Sequence, residues 1–533
     1  MTQSPEPSLS PLAEATSPVH SEWTQKVIDG YSFGEPSIEL GVLMEEGNPL
    51  PEAKVRISLS MLNRHGLVAG ATGTGKTRTL QLMAEQLSAA GVPVFAPDIK
   101  GDLSGIPLPG TPNEKLLART ARIGQDWQPV GAPTEFYALG GEGIGVPLRA
   151  TVSSFGPILL SKVLGLNQTQ ESTLGLVFHY ADTEGLPLLD LKDLQSLLNY
   201  LTSDEGKVEL KEIGGVSSAT VGVILRNIIN LAAQGADRFF GEPEFNSADL
   251  IRITPDGRGV VSLLELPDLQ DRPAVFSTFL MWLLADLFSE LPEVGDLDRP
   301  KLVFFFDEAH LLFNDASKAF LSAIAQTVRL IRSKGVGVFF VTQTPKDVPE
   351  DVLAQLGSRV QHQLRAHTPN DAKALRTTVR TYPYSVYDLE QTLQQLGVGE
   401  AVVTVLNPNG APTPVAWTRM RAPQASMEPM NPEWMRNGVA GSSMMARYGQ
   451  AIDRESAYEL LAERLQAGID ANQPEADAKA GAPRRAPQER RAPARRQEKS
   501  WLEKTVDSAS FRNQVVRTGG QILRDILGNA KRR

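Results

Sequence analysis

The 533-residue chain is predicted to be an α/β protein with a mainly parallel sheet and an all-helical insertion. Three observations point there. Val92 to Ala96, Val260 to Leu266, Leu302 to Phe306 and Gly337 to Thr342 are apolar runs of strand length, near-continuous rather than alternating. Strands covered on both faces by helices read this way. Helical stretches, such as Pro273 to Leu291 and Ala316 to Lys334, separate several of them. Finally, a glycine-rich loop joins a short apolar run to a helix-like run near the start of the pattern.

That loop is Gly70-Ala71-Thr72-Gly73-Thr74-Gly75-Lys76-Thr77, which matches G-x-x-x-x-G-K-[ST]. Gly66 to Ala69 precedes it and a helix-like run from Arg78 to Ala89 follows, the strand–loop–helix context the motif needs. The glycines let successive N–H groups turn inward on a β-phosphate, and the helix adds its positive end. Lys76 is the residue to reach the β- and γ-phosphates, and the Thr77 hydroxyl is a Mg²⁺ ligand. Residues Gly70 to Thr77, with Arg78 just after them, form the expected nucleotide-contacting set. The implied cofactors are ATP and Mg²⁺.

Leu302 to Phe306 ends in Asp307-Glu308. In a P-loop ATPase the first acid holds the metal shell and the second orients or polarises the attacking water. Asp307 is therefore the expected metal residue and Glu308 the catalytic one. The strand at Val338 to Val341 leads to Thr342-Gln343-Thr344, and a polar side chain at that strand end would face the γ-phosphate. Gln343 is accordingly a catalytic candidate. Asp98 also ends a strand, where it could enter the cleft or cap a turn; these alternatives stay open. His310 reads as structural rather than as a base. Positive charge for the transition state can come from a neighbouring subunit as an arginine finger, with Arg329, Arg332 and Arg359 as candidates.

Along the chain, residues 1–22 read as a disordered N-terminus and 23–60 as a short β-element. An α/β ATPase core is expected over 61–155 and again over 251–425, interrupted by a helical insertion over 156–250. The insertion is read from apolar residues at helical spacing, among them Leu159, Leu160, Val163, Leu164, Leu174, Val177 and Phe178. A helical extension over 426–469, a disordered linker over 470–499 and a basic amphipathic helix over 500–533 complete the reading.

Composition narrows the function. The hydrophobic fraction of 41% supports an ordinary core, and the net charge of −9 argues against a generally basic nucleic-acid coat. From Arg484 to Arg533, 14 Lys/Arg face 5 Asp/Glu, a net of +9 that leaves −18 for residues 1–483. A basic tail on an acidic body suggests tethered contact with something anionic, or simply a solvated tail. With no cysteine, disulfides, thiolate metal sites and cysteine nucleophiles are excluded. No signal-peptide pattern opens the chain, and the longest apolar stretch carries Asp286 and Glu290, so a cytoplasmic protein without membrane insertion is expected.

Asp-Glu-Ala-His at 307–310 invites a two-lobed helicase reading, but Lys76 and Asp307 are 231 residues apart and nothing after 343 reads as a second lobe. The combination of Asn63-Arg64-His65-Gly66 before the loop, the acid-ended strand, Arg332 before the glutamine strand, and Gly357 to Arg365 resembles the HerA/FtsK superfamily of P-loop motor ATPases. The runs at 95–106 and 396–406 resemble its HerA-like branch of YjgR type. The resemblance implies a RecA-like core, a homo-hexameric ring with nucleotide sites between subunits, and work on double-stranded DNA. It also implies the roles given above for Lys76, Thr77, Asp307, Glu308 and Gln343, and favours Arg332 and Arg359 as the arginines. Three functions compete: a DNA translocase or helicase, a motor acting on protein in secretion or assembly, and a nucleotide-dependent switch. Glu308 argues against the switch, which has less need of a water-activating acid.

Overall fold

A computed structural model describes residues 20–210, 214–266, 273–295, 297–313 and 318–466. The expectations for residues 1–19, 470–499 and 500–533 lie outside the described residues.

Twelve strands form one sheet: β1 (Ser37–Glu45), β2 (Asn48–Ser58), β3 (Gly66–Ala69), β4 (Val94–Asp98), β5 (Thr134–Leu139), β6 (Val146–Leu148), β7 (Val261–Glu265), β8 (Leu302–Phe306), β9 (Val336–Thr342), β10 (Ser358–Gln361), β11 (Glu400–Thr404) and β12 (Ala416–Met420). Their order is β2-β1-β12-β11-β10-β3-β9-β8-β4-β7-β5-β6. From β10 to β6 every pairing is parallel; from β10 back to β2 every pairing is antiparallel. The fold is thus α/β with a mostly parallel sheet.

The central strands β3, β4, β7, β8 and β9 are buried along their whole length, which is why their sequences do not alternate. Phenylalanines on adjacent strands fill the layers. Phe304 lies 4.9 Å from Phe95, Phe305 lies 5.5 Å from Phe339, and Phe306 stacks at 5.4 Å on Phe340. Such ring pairs add to the burial of large apolar surfaces. Helix Pro273–Glu290 packs between helices Val152–Val163 and Lys318–Ile331, so it is apolar around most of its circumference.

Between β6 and β7 the chain forms helices Val152–Val163, Gln168–Thr183, Leu191–Thr202, Asp204–Glu209 and Ser218–Ala233. Capping boxes at Asn167/Gln170 and Asp190/Asp193 start two of them. After β12, helices Pro432–Ala440 and Ser443–Tyr448 and a helical run over 457–466 return across the body. Asp193 accepts from Ser456 Oγ and from Tyr458 N, tying that return to the helical segment.

The β-element expected over 23–60 differs from the structure in two ways. Residues Glu22–Gly30 form a helix, capped by the Ser21 side chain, which accepts from Thr24 N. The β1–β2 hairpin is also not a separate unit, because β1 pairs with β12 and extends the main sheet.

Removing one ring from the middle of the phenylalanine layer tests this packing. Phe305→Ala is expected to cost roughly 3–5 kcal/mol, seen as a lowered denaturant midpoint. The exposed change Val386→Ala is expected to stay within about 0.5 kcal/mol.

Candidate nucleotide site

The glycine-rich loop leaves β3 at the C-terminal edge of the parallel strands. Its shape is imposed by the strands on either side. Gly70 N donates to Thr342 O of β9 (3.2 Å), and Ala71 N donates to Gln363 O beyond β10 (2.8 Å). Gly70 also faces a wall: a Cβ there would lie 2.5 Å from His362 Cβ. Gly75, at φ +119°, turns the chain into helix Lys76–Ala89 in a conformation that L side chains resist. Gly399 N donates to Thr74 O (3.0 Å), so the chain entering β11 closes the loop's other flank.

His362 sits beneath the loop and is fully buried. Its Nε2 meets Thr79 Oγ1 at 2.9 Å and its Nδ1 meets Glu400 O at 2.8 Å. Burial pushes its pKa down to about 4, further aided by the charge of Lys76, against the pull of the Glu400 carbonyl. It is a neutral wedge holding helix, loop and β11 together. Arg119 reaches the same corner, donating to Gly399 O at 3.0 Å and Met420 O at 2.9 Å.

Lys76 Nζ donates to Gly70 O (2.7 Å) and Ala71 O (3.2 Å). Burial lowers its pKa and the charge of Lys100 adds to that, while Glu308 and Asp307 oppose it. Thr77 opens the helix beside it. Arg78 turns along the helix to Gln81 Oε1 at 3.1 Å. Burial depresses its pKa, with Asp102 and Glu428 acting the other way.

Asp307 and Glu308 follow β8, which is separated from β3 by β9. Gln343, exposed just past β9, leaves the sheet between the loop and the acids. Asp307 Oδ1 accepts from Glu308 N at 2.9 Å. Burial and the charge of Glu308 push the Asp307 pKa up to about 6. Glu308 is buried too, at a backbone φ of +47°. Its Oε1 is ion-paired with Lys100 Nζ. Its Oε2 lies 3.2 Å from His310 Nδ1, close enough for an ion pair but not aligned as a hydrogen bond. His310, read from sequence as structural, therefore borders the acid.

Asp98, left open between cleft and cap, caps: it accepts from Asp102 N (3.1 Å) and Leu103 N (2.8 Å). Burial raises its pKa. Its register partner on β7, Glu265, is pushed up to about 8 by burial and by the charge of Asp98.

The arginines lie elsewhere in the fold. Arg329 and Arg332 line a cleft of about 260 Å³ with Arg64, His65, Gly357 and Leu406. His65 and Gly357 immediately precede β3 and β10, so this cleft opens at the sheet edge opposite the glycine-rich loop. Arg359, on β10, bonds Thr381 and lies 5.7 Å over the Tyr382 ring. The structure brings together residues 70–78, Asp307, Glu308 and Gln343, but not Arg332 or Arg359 with them. Sequence reasoning missed Lys100, His362 and Arg119. Lys100 was within reach of it, two residues after an acid at a strand end. The other two are placed by contacts across hundreds of residues.

This arrangement defines the class: an α/β ATPase-type core with a phosphate-binding loop and two acids on strands split by a third. The helicase HerA-like C-terminal family model matches residues 44–533, and the chain belongs to that family. It is 24% identical to the DNA double-strand break repair helicase HerA of Sulfurisphaera tokodaii over 376 residues, covering 70% of this chain and 67% of the relative. To the protein of the same name from Sulfolobus acidocaldarius it is 23% identical over 439 residues, covering 81% and 78%. Among solved structures, the bacterial conjugative coupling protein TrwB lacking its N-terminal region aligns with a TM-score of 0.52 at 15% identity, covering 77% of this chain and 94% of that one. That likeness concerns the fold alone. Among the described residues no helix is long and apolar enough to cross a membrane.

The buried imidazole makes a pH prediction. A histidine whose folded pKa (about 4) lies below its ordinary value of 6.5 stabilises the fold fully above 6.5. That stability drains away at about 1.4 kcal/mol per pH unit as pH falls from 6.5 towards 4. His362→Gln is therefore expected to lose stability less steeply than wild type over that window, measured by chemical denaturation at a series of pH values.

Proposed function

We propose that this chain is the subunit of an ATP-hydrolysing ring motor that translocates on, or unwinds, double-stranded DNA. One observation carries the reading: two groups of residues, each fitted to half of a hydrolytic site, lie at opposite edges of the same sheet. The loop and acids are at one edge and the Arg329/Arg332 cleft is at the other. Head-to-tail association of identical subunits would set the arginines of one against the loop of the next, and a closed ring satisfies every subunit. A homo-hexamer in the cytoplasm fits this reading. The family membership and the names of the HerA relatives supply the DNA.

In this mechanism backbone N–H groups of Gly73 to Thr77 and the Lys76 ammonium hold the β- and γ-phosphates. The Thr77 hydroxyl and Asp307 carboxylate are hard oxygen donors suited to Mg²⁺, and Asp307 sits in a buried pair of acids whose mutual repulsion a cation would relieve. Among the described residues no three or more His, Cys, Asp and Glu side chains form a metal cage, which suits an ion completed by phosphate oxygens and water. When bound, Mg²⁺ neutralises charge on the phosphates. Glu308 orients the attacking water and takes its proton as the oxygen bonds to the γ-phosphorus and ADP leaves. Gln343, exposed just past β9 between the loop and the acids, would contact the γ-phosphate or that water. Arg332 or Arg359, from the neighbouring subunit, stabilises charge in the transition state, and the sheet-edge cleft favours Arg332.

A motor acting on protein is the second reading, favoured by the −18 charge of residues 1–483, which repels a phosphate backbone. ATPase turnover with duplex DNA and with unfolded polypeptide, beside a mass measurement of the oligomer, separates the two. Stimulation by duplex DNA in a ring-sized species is expected. Stimulation by polypeptide alone would overturn the DNA assignment.

Two variants probe the chemistry. Glu308→Gln is expected to retain nucleotide binding while turnover falls by about 10²–10⁴. Arg332→Ala is expected to lose about 10³-fold or more. Mixing Arg332→Ala with Lys76→Ala subunits should restore some of the turnover if the arginine acts across the interface, and none if it acts within its own chain.

A further inference from the structure

Glu308 is the acid assigned to activate water, yet one oxygen of its carboxylate is already held, while the other is buried without a hydrogen-bond partner. Lys100 Nζ holds Oε1, and His310 Nδ1 lies 3.2 Å from Oε2. An oxygen held by an ammonium in this way is not open to a new proton donor. Its backbone sits at φ +47°, one of three non-glycine residues with positive φ among the described residues. That conformation persists only where neighbours enforce it.

Lys100 differs from its partner. Its side chain is 43% exposed, whereas that of Glu308 is 6% exposed. It stands on the turn after β4, and Asp98 pins that turn by accepting from the N–H groups of Asp102 and Leu103. The backbone is thus anchored while the four-carbon side chain stays partly exposed. The charges of Lys100 and Lys76 act on each other, and both act with those of Asp307 and Glu308. A lysine is a compact charge on a flexible stem and can be transferred between anions without moving the backbone.

We propose that Lys100 is a positioning residue shared between two anions, Glu308 and the terminal phosphate of a bound nucleoside triphosphate. Binding of the triphosphate draws the ammonium from Glu308 Oε1 to a γ-phosphate oxygen. Oε1 is then available for a proton of the attacking water. A diphosphate offers no oxygen at that place, so the pairing with Glu308 stays. Lys100 thereby links release of the base to the presence of the bond to be cleaved. This inference rests on the nucleotide-site reading above.

The test is equilibrium binding of ADP and of the slowly hydrolysed ATPγS, each with Mg²⁺, to the full chain and to Lys100→Met and Lys100→Arg. Lys100→Met is expected to weaken ATPγS about tenfold and leave ADP within about twofold, with Lys100→Arg recovering most of the difference. A thermal melt of each variant reports folding independently. Equal weakening of both nucleotides, or no change in either, would overturn the role given to Lys100. If wild-type protein bound neither nucleotide, the site reading itself would fall, and Lys100's role with it.

Discussion

Everything at the nucleotide edge depends on how β3 is flanked. A loop of glycines has no preferred shape of its own, and ordering it costs backbone entropy. Here the cost is met by hydrogen bonds from Gly70 N to β9 and from Ala71 N to the chain after β10, with His362 filling the space beneath. These contacts exist because β10, β3 and β9 are adjacent and parallel. The parallel register also delivers Gln343 and the two acids to the same edge. Loop shape, acid placement and glutamine placement are therefore one consequence of strand order rather than separate features.

The order itself was not legible in the sequence. Burial on both faces made β8 and β7 readable: Leu302–Phe306 was expected with its observed bounds, and Val260 to Leu266 contains the observed β7. The same principle failed at β10, whose Ser-Arg-Val-Gln is short and half polar, and at β12, which alternates across a half-exposed face. Strands without a continuous apolar run carry little local signal; their pairing with neighbours decides them. The helix at Glu22–Gly30 was missed because its signals are modest, a serine cap and a few buried side chains such as Val27.

The candidate site divides in the same way. Residues 70–77, Asp307 and Glu308 were readable because a motif gathers their chemistry into a few consecutive positions. Lys100, His362 and Arg119 act through partners 208, 283 and 280 residues distant, and no local pattern encodes that. Asp98 shows the limit from the other side. A strand-end acid suggests either catalysis or capping, and only the two N–H groups it accepts from decide for the cap. Glu265 adds a charge problem that sequence could not pose, because its interaction with Asp98 exists only through the β4–β7 register.

The distance between the sheet's two edges has a mechanical meaning. β3 is four residues long, about 13 Å at the usual rise per residue. It runs from His65 at the arginine cleft to Gly70 at the loop, paired on both sides and without a flexible joint. Such a strut is stiff along its axis. A displacement at one end would be passed along it to the other, as in a short connecting rod. If the proposed ring forms, a displacement at the arginine cleft of a subunit would reach its own loop through this rod, with no hinge needed to carry it.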